Sequence, residues 1–503
     1  MRKLLHVSLL LATLSTSALA QQKSIFFNES VLSNPSEVEI NLPQGIVDGH
    51  EVALFDTTIG TRILASMNAT YLKSRPITRH GILVSILIPG HPQWSGAIGT
   101  NDDVNPMDTG LAFEVASNTK TFVTALIMKL QDMGKLSIKD SIGKWLPNKY
   151  PNIDTTITIE QLLNHSSGIY DYLNDDPKLT VFRDFYNDPS RRWTSAEILD
   201  TFVGHANFKA GTSYQYSNTN FILAGLIAER AGGEKLGAQI HKYFIDPFKL
   251  TRTFFGGEDS VTIPYAHNWS VAGVSSEGTD FFVLDKTGVL SGAWGAGNIV
   301  STTGDLMRWA NLLYTGKVVS ANSLKQMEAV HKWPNGAYYG LGTQLAPFYT
   351  RNFYGHGGSL LGFKSSMFTN PMDSVSVVAY MNSDANSSFA DPTVNDYLID
   401  ILTEIYRTPS SVLAKNLTSG VTVAVSPNPV TDRLSFSYSL SKSSVVKLHI
   451  YNELGIEMRE LVNESLPSGS HFVTCDVSTF AKGMYFYSLE SPSGIVAGKI
   501  SVK

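Results

Sequence analysis

The chain has 503 residues, 43% of them hydrophobic, and its 39 Lys and Arg against 44 Asp and Glu leave a net charge of -5. That length corresponds to about three domains at the usual domain size, although one large α/β domain can absorb most of it. The near-balanced charge, at 17% charged residues and without a basic stripe, argues against nucleic acid as a partner.

The first twenty residues read as an export leader. Arg2 and Lys3 give a positive start, Leu4 to Leu14 is mostly apolar, and Ala18-Leu19-Ala20 is a small-x-small cleavage site. The apolar run is shorter than the roughly 20 residues a membrane-spanning helix needs. The single cysteine, Cys475, excludes a disulfide within the chain and reads as a small buried residue.

Asp48 to Lys73 places apolar residues at helical intervals. Ile82 to Ile88 reads as a buried strand, Pro89 to Pro92 as a turn, and Trp94 to Ile98 as a second strand. The run Phe113 to Ser117 then passes into a long helix with Phe122, Val123, Leu126, Ile127, Leu130 and Met133 on one face. Thr158-x-x-Gln161 is a capping box that opens a short helix ending near His165 to Gly168. Another helix runs from about Asn220 to Ala231 and closes at Gly232-Gly233. Thr302 to Asp305 caps a helix through Trp309 and Leu313. Phe353 to Gly358, Gly362 to Phe368 and Ser374 to Met381 read as three strands, and Val394 to Ile405 as a helix.

Strands at both ends of this stretch and helices between them imply an α/β unit. Its expected form is an antiparallel sheet flanked by helices with a helical lobe, and the active site between them. Asn416 to Gly420 reads as linker. Beyond it Leu434 to Leu440, Val445 to Tyr451, His471 to Val477, Met484 to Leu489 and Val496 to Val502 read as five strands of a small all-β sandwich.

The chemistry centres on Ser117-Asn118-Thr119-Lys120. Residues three apart on a helix share a face, so Lys120 can reach the hydroxyl of Ser117. A serine is a poor nucleophile until a base takes its proton. Lysine serves only when neutral, which requires its pKa to fall from about 10.4 toward 7, a cost of about 4 kcal/mol. Three other Ser-x-x-Lys runs exist, at Ser141, Ser439 and Ser444, but only Ser117 stands at the mouth of a long apolar helix. Tyr216-Ser217-Asn218 precedes the helix at Asn220. Its phenol can relay a proton, and its amide can hold either the substrate carbonyl or Lys120. Gly355-His356-Gly357-Gly358-Ser359 places glycines inside a strand, which marks close approach of a backbone or ligand. There the N–H of Ser359 could face that of Ser117 across an oxyanion. His165 reads as structural, and Lys364 as either an anion-attracting group or a solvated strand residue. Neither H-E-x-x-H nor a clustered His/Asp pattern occurs, so no metal or other cofactor is expected, and the absence of G-x-S-x-G argues against an α/β-hydrolase.

Ser117-x-x-Lys120, Tyr216-x-Asn218 and His356-x-Gly358 together resemble the motif set of the serine β-lactamase-related family. That family includes class C β-lactamases, D-alanyl-D-alanine carboxypeptidases and penicillin-binding-protein-like hydrolases and esterases. The runs Gln161 to Gly168 and Gly297 to Leu306 also look like it, and the resemblance covers roughly residues 45 to 410. It implies acylation of Ser117, with Lys120 as base and Tyr216 as the proton relay to the leaving group. Asn218 would orient substrate, with Gly358 and Ser359 lining its path. His356 would offer a donor opposite Tyr216. Family peptidases usually carry a hydroxyl where this chain has Gly357, which weakens a grip on a substrate carboxylate. The competing reading is a non-catalytic penicillin-binding or adhesive surface protein.

The tail, with Ser426-Pro427-Asn428-Pro429, Tyr451 to Gly455, Gly483 to Tyr487 and Lys499 to Lys503, resembles a type IX secretion sorting domain. A carbohydrate-binding or adhesive β-module is the alternative. The expected layout is leader 1–20, hydrolase 21–412, linker 413–424 and sorting domain 425–503. The expected product is secreted or surface-held, monomeric, acting on a small-molecule or peptide acyl substrate and handled by secretion machinery.

Overall fold

The computed structural model describes residues 57–503 except 74–80, 103, 148–149, 151, 177, 179, 271–278, 334–337, 349–350, 361, 384–391, 408–421, 453–456 and 493. The leader, the start of the first helix and the Asn416 to Gly420 linker lie outside the described residues. Two compact units emerge. One runs to Ala346 and resumes over Phe353–Ile401, and the other takes Pro347–Asn352 and Leu402–Lys503.

The first unit is organised by an eight-stranded sheet. Its order is Trp94–Ile98, Ile82–Leu87, Ser376–Met381, Phe363–Thr369, Arg351–Leu360, Gln344–Phe348, Tyr338–Tyr339 and His331–Lys332. Early and late sequence meet where Ile82 pairs with Met381 and Leu87 with Ser376, antiparallel. Ile82–Leu87 is an unbroken apolar run except for Ser85 because both of its faces are buried. Ser85 is accommodated by hydrogen bonding to Thr303 at 2.8 Å, at the start of the helix Thr303–Tyr314. That helix is capped by Thr302, as expected, and packs on the strands Ile82–Leu87, Phe363–Thr369 and Ser376–Met381.

The fold class is the one expected, an antiparallel sheet with helices, and the differences lie at its far edge. The strands at 331–332, 338–339 and 344–348 were not legible. Two of them are only two residues long, and the third contains Pro347, which cannot donate to a ladder.

The helical lobe is built on Thr119–Asp132, in which 11 of 14 residues are buried. Phe122 stacks on Trp309 at 3.9 Å, while the indole N–H of Trp309 donates to Thr121 Oγ1 at 2.9 Å. Beside it lies Thr219–Gly232, which stops at Gly233 in the left-handed region, φ 81°. Thr158 and Gln161 form the expected capping box.

The second unit holds a three-stranded and a four-stranded sheet around a core that includes Leu434, Phe436, Val446, Leu448, Leu489 and Ile500. Among the described residues it has seven strands where five were expected. The additional two are Thr422–Ser426 and Glu457–Leu466. Only Val462 of Glu457–Leu466 is buried, so this edge strand carries no apolar alternation to read. Cys475 is buried and free. No helix among the described residues is long and apolar enough to cross a membrane.

Candidate active site

The approach to Ser117 is set by backbone. Phe113–Glu114 pairs with Ile299–Ser301, and the Val115 N–H donates to Ile299 O at 2.9 Å. Ala116 then takes φ 51°, a left-handed conformation costing a non-glycine residue about 1–2 kcal/mol. Ser117 follows in the turn Ala116–Asn118, which runs directly into the helix Thr119–Asp132. The strain is held from several sides. Asn118 Nδ2 donates to Val115 O at 2.9 Å and to Ser365 Oγ at 2.8 Å, and the Ile299 N–H donates to Thr119 Oγ1 at 3.0 Å.

Lys120 is fully buried one turn along. Its Nζ lies 3.1 Å from Ser117 Oγ, 2.8 Å from Asn218 Oδ1 and 2.8 Å from Ala296 O. Burial lowers its pKa to about 7, against an opposing pull from Asp171. The three contacts suit either protonation state. A neutral amine has two hydrogens, which the two carbonyl oxygens accept, and one lone pair, which then faces the serine hydroxyl. Such a group can accept the proton of Ser117 without moving.

Tyr216 closes the other side of the nucleophile. Its phenol donates to Ser117 Oγ at 2.8 Å, and its ring centroid lies 4.8 Å from Lys120 Nζ. Burial raises its pKa well above the ordinary phenol value, so the hydroxyl is held as a proton donor. The segment carrying it is fixed by His165, whose Nδ1 accepts from the Ser217 N–H at 3.1 Å and lies 3.2 Å from Asn220 Nδ2. The His165 ring packs 4.3 Å from that of Tyr216 and is fully buried, which lowers its pKa well below the usual value. His165 is therefore a neutral structural group, as its sequence context indicates.

Asn218 takes the second of the two roles its amide offers. Its Oδ1 takes Lys120, and its Nδ2 donates to the Asp171 carboxylate at 3.0 Å and 3.3 Å. The amide is therefore engaged with Lys120, one of the two roles open to it, and its N–H faces Asp171 instead of a substrate carbonyl.

The third motif lies on Arg351–Leu360. A Cβ at Gly358 would come within 2.3 Å of Val115 O, so only glycine lets this strand lie against the nucleophile turn. His356 is buried beside it, with Nε2 2.8 Å from the Tyr339 hydroxyl and Nδ1 2.5 Å from Gly357 O. The carbonyl can only accept, so Nδ1 carries the proton and Nε2 receives the Tyr339 O–H. Burial, helped by Lys120, lowers the His356 pKa to about 3. This corrects the expected free donor opposite Tyr216: His356 is neutral and both ring nitrogens are taken. Ser359 pairs with Lys364 across the ladder, and the Lys364 ammonium donates to Ser359 Oγ at 2.6 Å.

The motif's look-alikes go elsewhere. Ser141 and Lys144 sit at a four-residue helix, Ile142–Trp145, rather than in a plain loop, and Lys144 pairs with Asp140 at 2.8 Å. Tyr172, which like Tyr216 stands two residues before an asparagine, donates its hydroxyl to Gly292 O at 2.8 Å. Three participants were missed by sequence reading: Asp171, Tyr339 and the carbonyl of Ala296. Asp171, an acid between Tyr170 and Tyr172 just past Gly168, could have been flagged as a charge in an apolar context. A backbone carbonyl leaves no trace in sequence.

The Beta-lactamase family model matches residues 71–399, and a Secretion system C-terminal sorting domain matches residues 424–503. Protein flp of Staphylococcus aureus (strain N315) is 26% identical over 312 residues, covering 60% of this chain and 58% of that protein. A penicillin-binding protein of Bacillus subtilis (strain 168) is 28% identical over 284 residues, covering 52% of this chain and 58% of its own length. The chain thus spans less than two thirds of these curated relatives. Among solved structures, the D-stereospecific amidohydrolase from Streptomyces sp. superposes with a TM-score of 0.59 at 25% identity, covering 69% of this chain and 99% of that one.

Proposed function

The chain belongs to the β-lactamase family, and on that premise we propose that it is an exported serine hydrolase working through an acyl-enzyme on Ser117. The observation that carries the reading is the meeting of Lys120 Nζ and Tyr216 Oη on one serine oxygen, at 3.1 Å and 2.8 Å. Neutral Lys120 takes the Ser117 proton as Oγ attacks the acyl carbon, and the carbonyl π electrons move onto oxygen. The N–H groups of Ser117 and Ser359 receive that oxyanion. Collapse expels the leaving group, which takes a proton from Tyr216, and Lys120, which holds the proton it took from Ser117, gives it up to restore the phenol. Water then repeats the sequence on the acyl-enzyme, releasing acid and serine.

The acyl donor is an ester or amide. The candidates are a D-alanyl peptide, a β-lactam and a small acyl ester. Relatives named as a penicillin-binding protein and a D-stereospecific amidohydrolase favour the amide-type donors. Gly358 and Ser359 border the substrate, while Asn218 and His356 act on it through Lys120 and Tyr339. The sorting domain, preceded by the leader at 1–20, carries the protein across the outer membrane for release or surface attachment. The hydrolase acts as a monomer.

The test is intact-mass spectrometry after a fluorescent penicillin or a p-nitrophenyl ester. The adduct is expected on Ser117 in the wild type and absent in Ser117→Ala. An adduct on another serine overturns the assignment, and one that forms but never turns over identifies a penicillin binder rather than a hydrolase.

A further inference from the structure

Asp171 belongs to none of the three motifs, yet it is fully buried two hydrogen bonds from Lys120. Its Oδ1 accepts from the Leu173 N–H at 3.0 Å and its Oδ2 from Asn174 Nδ2 at 2.6 Å, while Asn218 Nδ2 donates to both oxygens. Every one of these neighbours is a donor. A protonated carboxyl would need an acceptor for its own O–H, and none of these groups offers one, so the site is shaped for the carboxylate. Burial works the other way and raises the Asp171 pKa, which makes the paired positive charge on Lys120 worth more.

The path from this carboxylate to the base is one amide long. Asp171 fixes which way Asn218 faces, because a carboxylate accepts only the Nδ2 end. The Oδ1 end is thereby committed to Lys120 at 2.8 Å. Around Lys120 stand His165 and Asp171 from one segment, Tyr216 from the next, and His356 with Tyr339 from the sheet. Burial keeps both histidines neutral and the phenols protonated, so Asp171 alone among them is an anion.

We propose that Asp171 is a positioning residue that orients Asn218 and sets the charge of Lys120 through it, making Asp171–Asn218–Lys120 a relay that tunes the general base. The relay rests on the serine-hydrolase reading above and adds to it a reason why a fully buried lysine retains a proton affinity near neutrality. Without the carboxylate, desolvation pushes the lysine pKa downward unopposed.

The experiment is the pH dependence of kcat/KM for p-nitrophenyl acetate in the full chain. In Asp171→Asn the acid limb is expected to move down by about one pH unit, since an opposite charge at short range shifts a pKa by one to three units and this one acts through an amide. The swap Asp171→Asn with Asn218→Asp keeps one carboxylate and one amide in the pair but puts the charge directly on Lys120, so its limb is expected at or above that of the wild type. A role in folding alone would lower the melting temperature and the rate in both variants while leaving the limb in place. If Asp171→Asn does not fold alone, the swap reads the same charge from its new position. An Asp171→Asn limb that coincides with the wild type or moves up, or a swap limb below the wild type, overturns the relay. Loss of Ser117 dependence would instead overturn the hydrolase reading, so the two failures are distinguishable.

Discussion

The two sides of the serine are built on opposite plans. On the Lys120 side the base is held by fixed partners: Asn218 and Ala296 hold the amine, Asp171 holds Asn218, and His165 holds the Tyr216 segment. On the His356 side the groups are neutral, absent or turned inward. His356 is spent on Tyr339 and Gly357, position 357 has no side chain, and Ser359 accepts from Lys364. The first plan buries titratable groups so that their pKa values fall where proton transfer needs them. The second leaves the strand that meets the substrate without a committed charge beside Tyr216. On the proposed function, activation of Ser117 is thus tightly specified and recognition of the acyl donor loosely so.

The sharpest way to break this contrast is at the base. Lys120→Arg keeps a positive charge but cannot lose its proton, so kcat/KM should fall by about 100- to 10,000-fold, the range of a general base. The wild-type rate should drop on the acid side of about pH 7, because the lysine lowered to about 7 regains its proton there. Stopped-flow acylation across pH checks both, and substantial activity in Lys120→Arg would mean that another group takes the proton. Tyr216→Phe comes next. It removes only the relayed proton, so a loss of about 100-fold is expected, with weaker effects on activated esters whose leaving groups need no proton. Equal losses for p-nitrophenyl esters and amides would contradict the relay.

The same contrast explains what could be read from sequence. The Ser117–Lys120 pair follows from helical spacing alone, and the T-x-x-Q and Thr302 caps follow from local hydrogen bonding. Tyr216 lies 99 residues from Ser117, and only family resemblance brought the two together. His356 was assigned to the right strand, but the partners that occupy its two ring nitrogens were not legible. Its partner Tyr339 comes from a two-residue strand with no periodic signal, and desolvation is a property of the assembled core. The direction of the Asn218 amide was hidden for the same reason, since Asp171 decides it.

On the loosely specified side, Gly357 offers a smaller and more precise handle. A Cβ there would lie 3.6 Å from Ser365 O and 3.7 Å from Gln344 Oε1, ordinary contacts, and the Gly357 N–H already donates to Gln344. Gly357→Thr should therefore fold, with a melting temperature no lower than the wild type, since glycine within a strand costs about 0.5–1 kcal/mol. The added hydroxyl gives an anionic substrate a donor it now lacks. A net hydrogen bond of about 1 kcal/mol corresponds to roughly a fivefold rise in kcat/KM for nitrocefin relative to a neutral ester. A ratio that does not change would place the carboxylate elsewhere, with Lys364 the nearest cation on the neighbouring strand.

The smallest expected effect concerns His356 and is informative because it is small. An ordinary histidine titrates near 6.5 and would attract an anionic β-lactam more strongly as the pH falls toward 6. Here burial and the nearby Lys120 lower that pKa to about 3, and both nitrogens are occupied by Tyr339 and Gly357. Lowering a histidine pKa favours the neutral ring, so the charged form is populated only in acid well below the working range. The acid limb from Lys120 belongs to the free enzyme and enters kcat/KM for every substrate alike, so it cancels when two substrates are compared. The ratio of kcat/KM for nitrocefin to that for p-nitrophenyl acetate should therefore change by less than about twofold between roughly pH 5.5 and 8.5. A ratio that climbs toward pH 6 in the wild type, and loses that climb in His356→Gln, would show that the ring takes a proton when an anion arrives. The strand would then carry a latent charge, and the division between a fixed base and an uncommitted recognition side would fail at its most buried histidine.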